Sequence, residues 1–80
     1  MDWRDHIYSN PDIGGGKPIF RDSRFKVSFV LDLMAAGWAF DRMVEEHPGI
    51  RAEFLPAAAA FAADLMREED YVAIGQARTH

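Results

Sequence analysis

Two breaks, Gly37-Trp38 and Pro48-Gly49, cut the stretch from Val27 to Phe61 into three short segments, and this spacing limits the fold more than any other feature of the chain. Before the first break, Val27, Val30, Leu31 and Met34 fall at i, i+3, i+4 and i+7, one apolar stripe of an α-helix. The sequence predicts this helix from Ser28, as N-cap, to Ala36, with Gly37 in the left-handed position that ends it. A second helix is expected from about Ala39 to His47. Trp38 and Met43 are spaced as a hydrophobic staple around an Ala39 cap, Asp41 and His47 suit the two ends of the helix dipole, and Pro48-Gly49 stops it. A third helix begins near residues 51–53 and runs to about Asp70. Pro56 is tolerated only if regular helix starts after Glu53, so a loose first turn is expected. Phe54, Leu55, Ala58, Phe61, Ala62 and Leu65 form its expected buried side. Three helices with tight turns outline a helix-turn-helix unit, a fold that many small domains use without touching DNA.

The residues before this unit cannot be helical, because Pro11, Gly14-Gly15-Gly16 and Pro18 interrupt them. Ile7-Tyr8-Ser9 is suited to a short strand. Ile19-Phe20 and Phe25-Lys26-Val27 flank the polar Arg21-Asp22-Ser23-Arg24, the pattern of a small β-hairpin. A lone hairpin is marginal in water, so it must pack on the helices or on a second subunit. The triple glycine before Lys17 is not a phosphate loop, because Pro18 stands where Ser or Thr is needed. The 80 residues therefore read as one mainly α domain: an arm and hairpin over 1–27, a three-helix helix-turn-helix unit over 28–70, and a tail over 71–80.

Charge and composition narrow the function. The net charge is −4, and its two halves differ: residues 1–30 hold five basic against four acidic side chains, residues 31–80 four against nine. A phosphate-facing surface must then draw on Lys17, Arg21, Arg24 and Lys26 of the hairpin, with Arg51 alone of the base-reading types at the start of the third helix. The acidic residues Glu45, Glu46, Glu53, Asp64, Glu68, Glu69 and Asp70 suggest a solvated face or a docking face for a basic partner. Ile19, Phe20, Phe25, Tyr71, Val72 and Ile74 are candidate dimer or partner contacts, with Arg78 able to reach a carboxylate-lined site. The absence of cysteine excludes disulfides and thiolate sites and fits a cytoplasmic protein. His6, His47 and His80 lack a second ligand at metal-binding spacing, and no nucleophile–base pair is placed by spacing, so no metal, cofactor or enzymatic activity is expected. The polar N-terminus predicts no signal peptide. The longest apolar run falls short of the roughly 18 residues of a membrane span.

Several stretches resemble the small bacterial proteins grouped as domain-of-unknown-function family four-three-three, described as antitoxin-like and helix-turn-helix. These are Ile7-Tyr8-Ser9-Asn10-Pro11-Asp12-Ile13, Gly15-Gly16-Lys17-Pro18, Arg24-Phe25-Lys26-Val27, the run from Val30 through Ala35-Ala36-Gly37-Trp38, and Pro48-Gly49-Ile50. The resemblance covers about residues 6–63. It implies a homeodomain-like three-helix unit with a short N-terminal β-hairpin, a homodimer acting as the antitoxin of a toxin–antitoxin pair, neutralising a PIN-type ribonuclease and binding its own promoter DNA. The chain departs from the family pattern at Asp22-Ser23, where a Gly-Thr turn is usual, at Ala39, where a Ser cap is usual, and at Pro56 inside the would-be recognition helix. A homodimeric interaction domain without a DNA role is the competing expectation.

Overall fold

In the computed structural model, residues 1–68 are described. They form a two-stranded antiparallel sheet, β1 (Ile7–Tyr8) and β2 (Ile19–Phe20), and three helices, α1 (Val27–Ala35), α2 (Phe40–Glu46) and α3 (Phe54–Glu68). Short 3-10 turns cover Trp3–Asp5 and Gly14–Gly16. The fold is the mainly α class with a small N-terminal sheet that the sequence predicts.

Local signals set the helix ends. The chain leaves α1 through a left-handed Gly37 (φ 82°), with Gly37 N–H donating to Met34 O at 3.0 Å and Trp38 N–H to Leu33 O at 3.1 Å. This pair of bonds satisfies the last carbonyls of the helix and folds Trp38 back over its final turn. α1 starts two residues earlier than expected, with Lys26 rather than Ser28 at the N-cap, because Val27 N–H is already held by Pro18 O at 3.0 Å. Ala39 caps α2 through its extended backbone alone. Before α3, Phe54 N–H donates to Arg51 O and Leu55 N–H to Ala52 O, a loose turn that leaves Pro56 third in the regular helix. Its missing N–H therefore falls among the first-turn donors that have no helical partner anyway.

The expected hairpin has a different partner. β2 pairs with β1, Ile7 opposite Phe20 and Tyr8 opposite Ile19, whereas residues 25–27 give it a single bridge, Ile19 to Lys26. The reason is the tightness of the intervening turn. Asp22 adopts φ 58°, Ser23 Oγ donates to Phe20 O at 2.8 Å and accepts from Phe25 N–H at 3.1 Å, and α1 begins immediately afterwards. The residues that would extend the second strand are spent on a helix.

The core gathers Ile7, Phe20, Phe25, Val27, Val30, Leu33, Met43, Ile50, Phe54, Ala57 and Ala58. Phe54 stacks on Phe20, ring centroids 4.0 Å apart and nearly parallel, and both are fully buried. The stripe of α1 is Val27, Val30 and Leu33, with Leu31 and Met34 at its half-buried margin. That of α3 turns on Phe54, Ala57, Ala58 and Phe61, whose alanines let α1 approach closely. With 15 residues against nine, α3 outlasts α1, so Leu65 stands 50% exposed instead of buried. The N-terminal turn covers part of the overhang: the Trp3 ring packs edge-on against Phe61 at 4.8 Å, and its indole N–H donates to Asp64 Oδ2 at 2.7 Å.

Candidate functional site

The five basic residues expected to face phosphate do not form one strip; the fold distributes them over three places. Arg24 and Lys26 come together at the entrance of α1, where with Phe25 and Phe29 they line a shallow pocket of about 280 Å³. The Arg24 guanidinium lies 5.4 Å from the centre of the Phe25 ring. The aliphatic stem of Lys26 lies along Gly14, where an added Cβ would come within 3.3 Å of its Cε. Among the described residues neither cation has a carboxylate at salt-bridge distance. The first turn of α1 also carries no acidic side chain.

Arg21 and Arg51 form a second group. Arg51 Nη2 donates to Arg21 O at 2.9 Å and its Nε to Glu53 Oε2 at 2.8 Å, while its guanidinium sits 4.6 Å from the Phe54 ring centre. Arg21 lies over Tyr8 and reaches Arg4 O at 3.4 Å. Arg51 thus ties the turn into α3 to the β2 turn through two of its N–H donors. Glu53, in turn, is held below the usual carboxylate range, first by its own backbone amide and then by Arg51. Lys17 stands apart at a third place, the rim of a groove of about 370 Å³ between α1 and α3 whose apolar lining includes Val27, Leu31, Phe61 and Leu65.

The outward side of α3 has little with which to read a base edge. Ala52 just before it and Pro56 and Ala59 within it are the exposed residues up to the midpoint, followed by Leu65 at 50% and Met66 at 56% exposure and by Arg67, which pairs with Asp64. Direct readout needs Arg, Lys, Asn or Gln at such positions. The acidic face is also partly occupied. Asp64 accepts from Trp3, pairs with Arg67 and lies 3.9 Å from Arg4, and its carboxyl is held low by the indole first and Arg67 second.

Of the expected contact residues, Ile19, Phe20 and Phe25 are buried within the chain itself, so they are not an interface: β2 and the turn after it consume them in the core. Tyr71, Val72, Ile74 and Arg78 lie outside the described residues. An aromatic row that the sequence reading passed over runs from the Arg24 pocket toward α2. Phe25 stacks on Phe29 at 6.1 Å, His47 meets Phe29 edge-on at 4.8 Å, and Trp38 lies between His47 and the Arg42 guanidinium. The signal for it was present in Phe29, an apolar side chain off the stripe of α1 and four residues after Phe25. Among the described residues no group of three or more His, Cys, Asp or Glu could hold a metal ion. No helix there is long and apolar enough to cross a membrane.

Comparison with known proteins gives one family. The sequence model of "Protein of unknown function (DUF433)" matches residues 7–62, most of the chain and all of the sheet, α1 and α2. The chain belongs to this family. The uncharacterized protein y4eO of Sinorhizobium fredii is 39% identical to it over 59 residues, which are 74% of this chain and 27% of that protein. The chain thus spans about a quarter of the length of this relative. No solved structure matches it. Trp3 and Asp64, which join the N-terminal turn to α3, both fall outside the residues matched by the family model.

Proposed function

We propose that this DUF433 chain is a protein-binding module, the antitoxin-like partner of a PIN-type ribonuclease, acting by protein contact rather than by reading DNA bases. The observation that supports this reading is the outward side of α3, which offers Pro56 and Ala59 and then the exposed Leu65 and Met66, with Leu65 at the mouth of the α1–α3 groove. Such a surface suits an apolar helix of a partner laid along the groove. It gives a DNA major groove almost nothing to recognise. Any promoter contact would fall to Lys17, Arg21, Arg24 and Lys26 through phosphates, a sequence-independent and salt-sensitive attraction.

The test uses the purified chain with the ribonuclease encoded beside its gene. Inhibition at one-to-one stoichiometry, lost in Leu65→Asp with helical content unchanged, is the expected result. A neighbouring product that is not a nuclease, or a nuclease unaffected by the chain, overturns the reading. In parallel, fluorescence anisotropy with the upstream DNA and a scrambled duplex at two salt concentrations should show equal, salt-sensitive binding. Tight binding to the upstream DNA alone would restore base readout.

A further inference from the structure

The α1–α3 groove carries one charge, and the backbone fixes where it stands. Lys17 is the only ionisable side chain in its lining and Ser28 the only other polar one; Val27, Leu31, Phe61 and Leu65 make most of the remainder. Lys17 N–H donates to Gly14 O at 3.4 Å, and the next residue, Pro18, accepts from Val27 N–H at 3.0 Å, so the cation is held at the N-terminal end of α1. Lys17 is exposed, and among the described residues no carboxylate stands at salt-bridge distance from it. The first turn of α1 adds no acidic side chain. The apolar wall is preorganised, because Trp3 packs edge-on against Phe61 at 4.8 Å and limits its freedom before anything binds.

We infer that the groove selects an acidic amphipathic helix of a partner protein, one that sets a carboxylate against Lys17 and apolar side chains against Leu31, Phe61 and Leu65. The inference rests on the groove being the protein-binding surface proposed above, and adds which helices it accepts. α1 has nine residues and is about 13 Å long, so the contact covers about two turns of the partner. Apolar anchors at i, i+4 and i+7, flanked by the acidic residue, match that length. A basic helix would bring a like charge to Lys17. A nucleic acid strand has no apolar side chains for the rest of the lining, and a single cation is no track for phosphates. The selection is local. The net charge of −4 acts the other way, favouring basic partners over the molecule as a whole.

The experiment uses the full chain and two fluorescein-labelled synthetic helices, read by fluorescence anisotropy. Both peptides carry Leu at the anchor positions. One has Glu and the other Lys flanking the anchors at both ends, so neither direction of the bound helix is assumed. The acidic peptide is expected to bind the wild type at least about threefold more tightly, the scale of an exposed ion pair against a like-charge contact, with the margin shrinking in high salt. Lys17→Ala should abolish the preference, Lys17→Glu should reverse it, and Leu65→Asp should weaken both peptides; circular dichroism checks that each variant folds. Equal binding of the two peptides, a preference indifferent to Lys17→Glu, both peptides indifferent to Leu65→Asp, or no binding of either overturns the inference. Self-association of the chain that excludes both peptides assigns the groove to a second copy and overturns it as well. The ribonuclease reading fails separately: a ribonuclease unaffected by the chain leaves the peptide preference standing, whereas inhibition without a Lys17-dependent preference removes this inference alone.

Discussion

Phe54 is, with Phe20, among the largest fully buried side chains of this small core, and the effect of its removal follows from its contacts. Its ring is fully buried, stacked on Phe20 at 4.0 Å, edge-on to Phe25 at 6.4 Å and covered by the Arg51 guanidinium. Phe54→Ala deletes a buried aromatic ring and leaves a cavity, a change that costs about 3–5 kcal/mol. The lost Phe20 stack lies within about 0.5–1.5 kcal/mol beyond area, which places the expected cost near the upper end of that range. A domain of this size holds roughly 4–12 kcal/mol in total. The variant should thus sit near the edge of folding, with its thermal midpoint lowered by at least about 15 °C. Phe54→Leu keeps most of the volume and loses the stacking, so it should cost only about 1–1.5 kcal/mol. Urea unfolding followed by circular dichroism at fixed m-value separates the two. If Phe54→Ala costs less than about 1 kcal/mol, the site collapses freely, and the view of α3 as anchored by the Phe20–Phe54 stack is wrong.

Two further predictions concern backbone and pH. Gly37 and Gly49 both have positive φ, but an added Cβ at Gly37 meets open space, whereas at Gly49 it comes within 3.2 Å of the Phe25 ring. Gly37→Ala should therefore cost about 1–2 kcal/mol of backbone strain, and Gly49→Ala distinctly more; equal costs by thermal melts would refute the role given to Phe25. At the Trp3–Asp64 clasp, the Asp64 carboxyl is held below its usual range in the folded state, first by the Trp3 indole and then by Arg67. Its stabilisation is thus present above the unfolded carboxylate pKa of about 4 and is lost as pH falls through the lower folded value. Trp3→Phe keeps the ring against Phe61 and removes the indole donor, so it should destabilise at pH 7 and converge on the wild type under strongly acidic conditions. A stability difference that does not change with pH would show that the indole–carboxylate bond contributes nothing. Finally, Arg21→Ala with Arg24→Ala should flatten the salt dependence of any DNA binding; an unchanged slope removes these two from phosphate contact.

The sequence by itself determined the segmentation of the chain. Gly37, Pro48-Gly49 and Pro56 act through their own backbone restrictions, so the end of α1, the bounds of α2 and the start of α3 follow from residues within a few positions of each. The left-handed Asp22 could be anticipated in the same way, since Asp tolerates that conformation. What only the tertiary structure decided were the partnerships across the chain. Residues 19–20 could pair with 7–8 or 25–27, and the choice rested on whether Val27 would open a helix. Arg51 is basic at a position that suits DNA readout, and only the approach of Arg21 O and Glu53 shows that two of its donors tie the turn into α3 to the β2 turn. Phe20 and Phe25 could face a partner or the core, and the packing of α3 against them settled it. Likewise, the unequal lengths of α1 and α3 left Leu65 and Met66 exposed, although periodicity alone would bury Leu65. Backbone signals act over one turn, whereas side-chain pairing depends on which distant segments the core brings together, and periodicity carries no information about that.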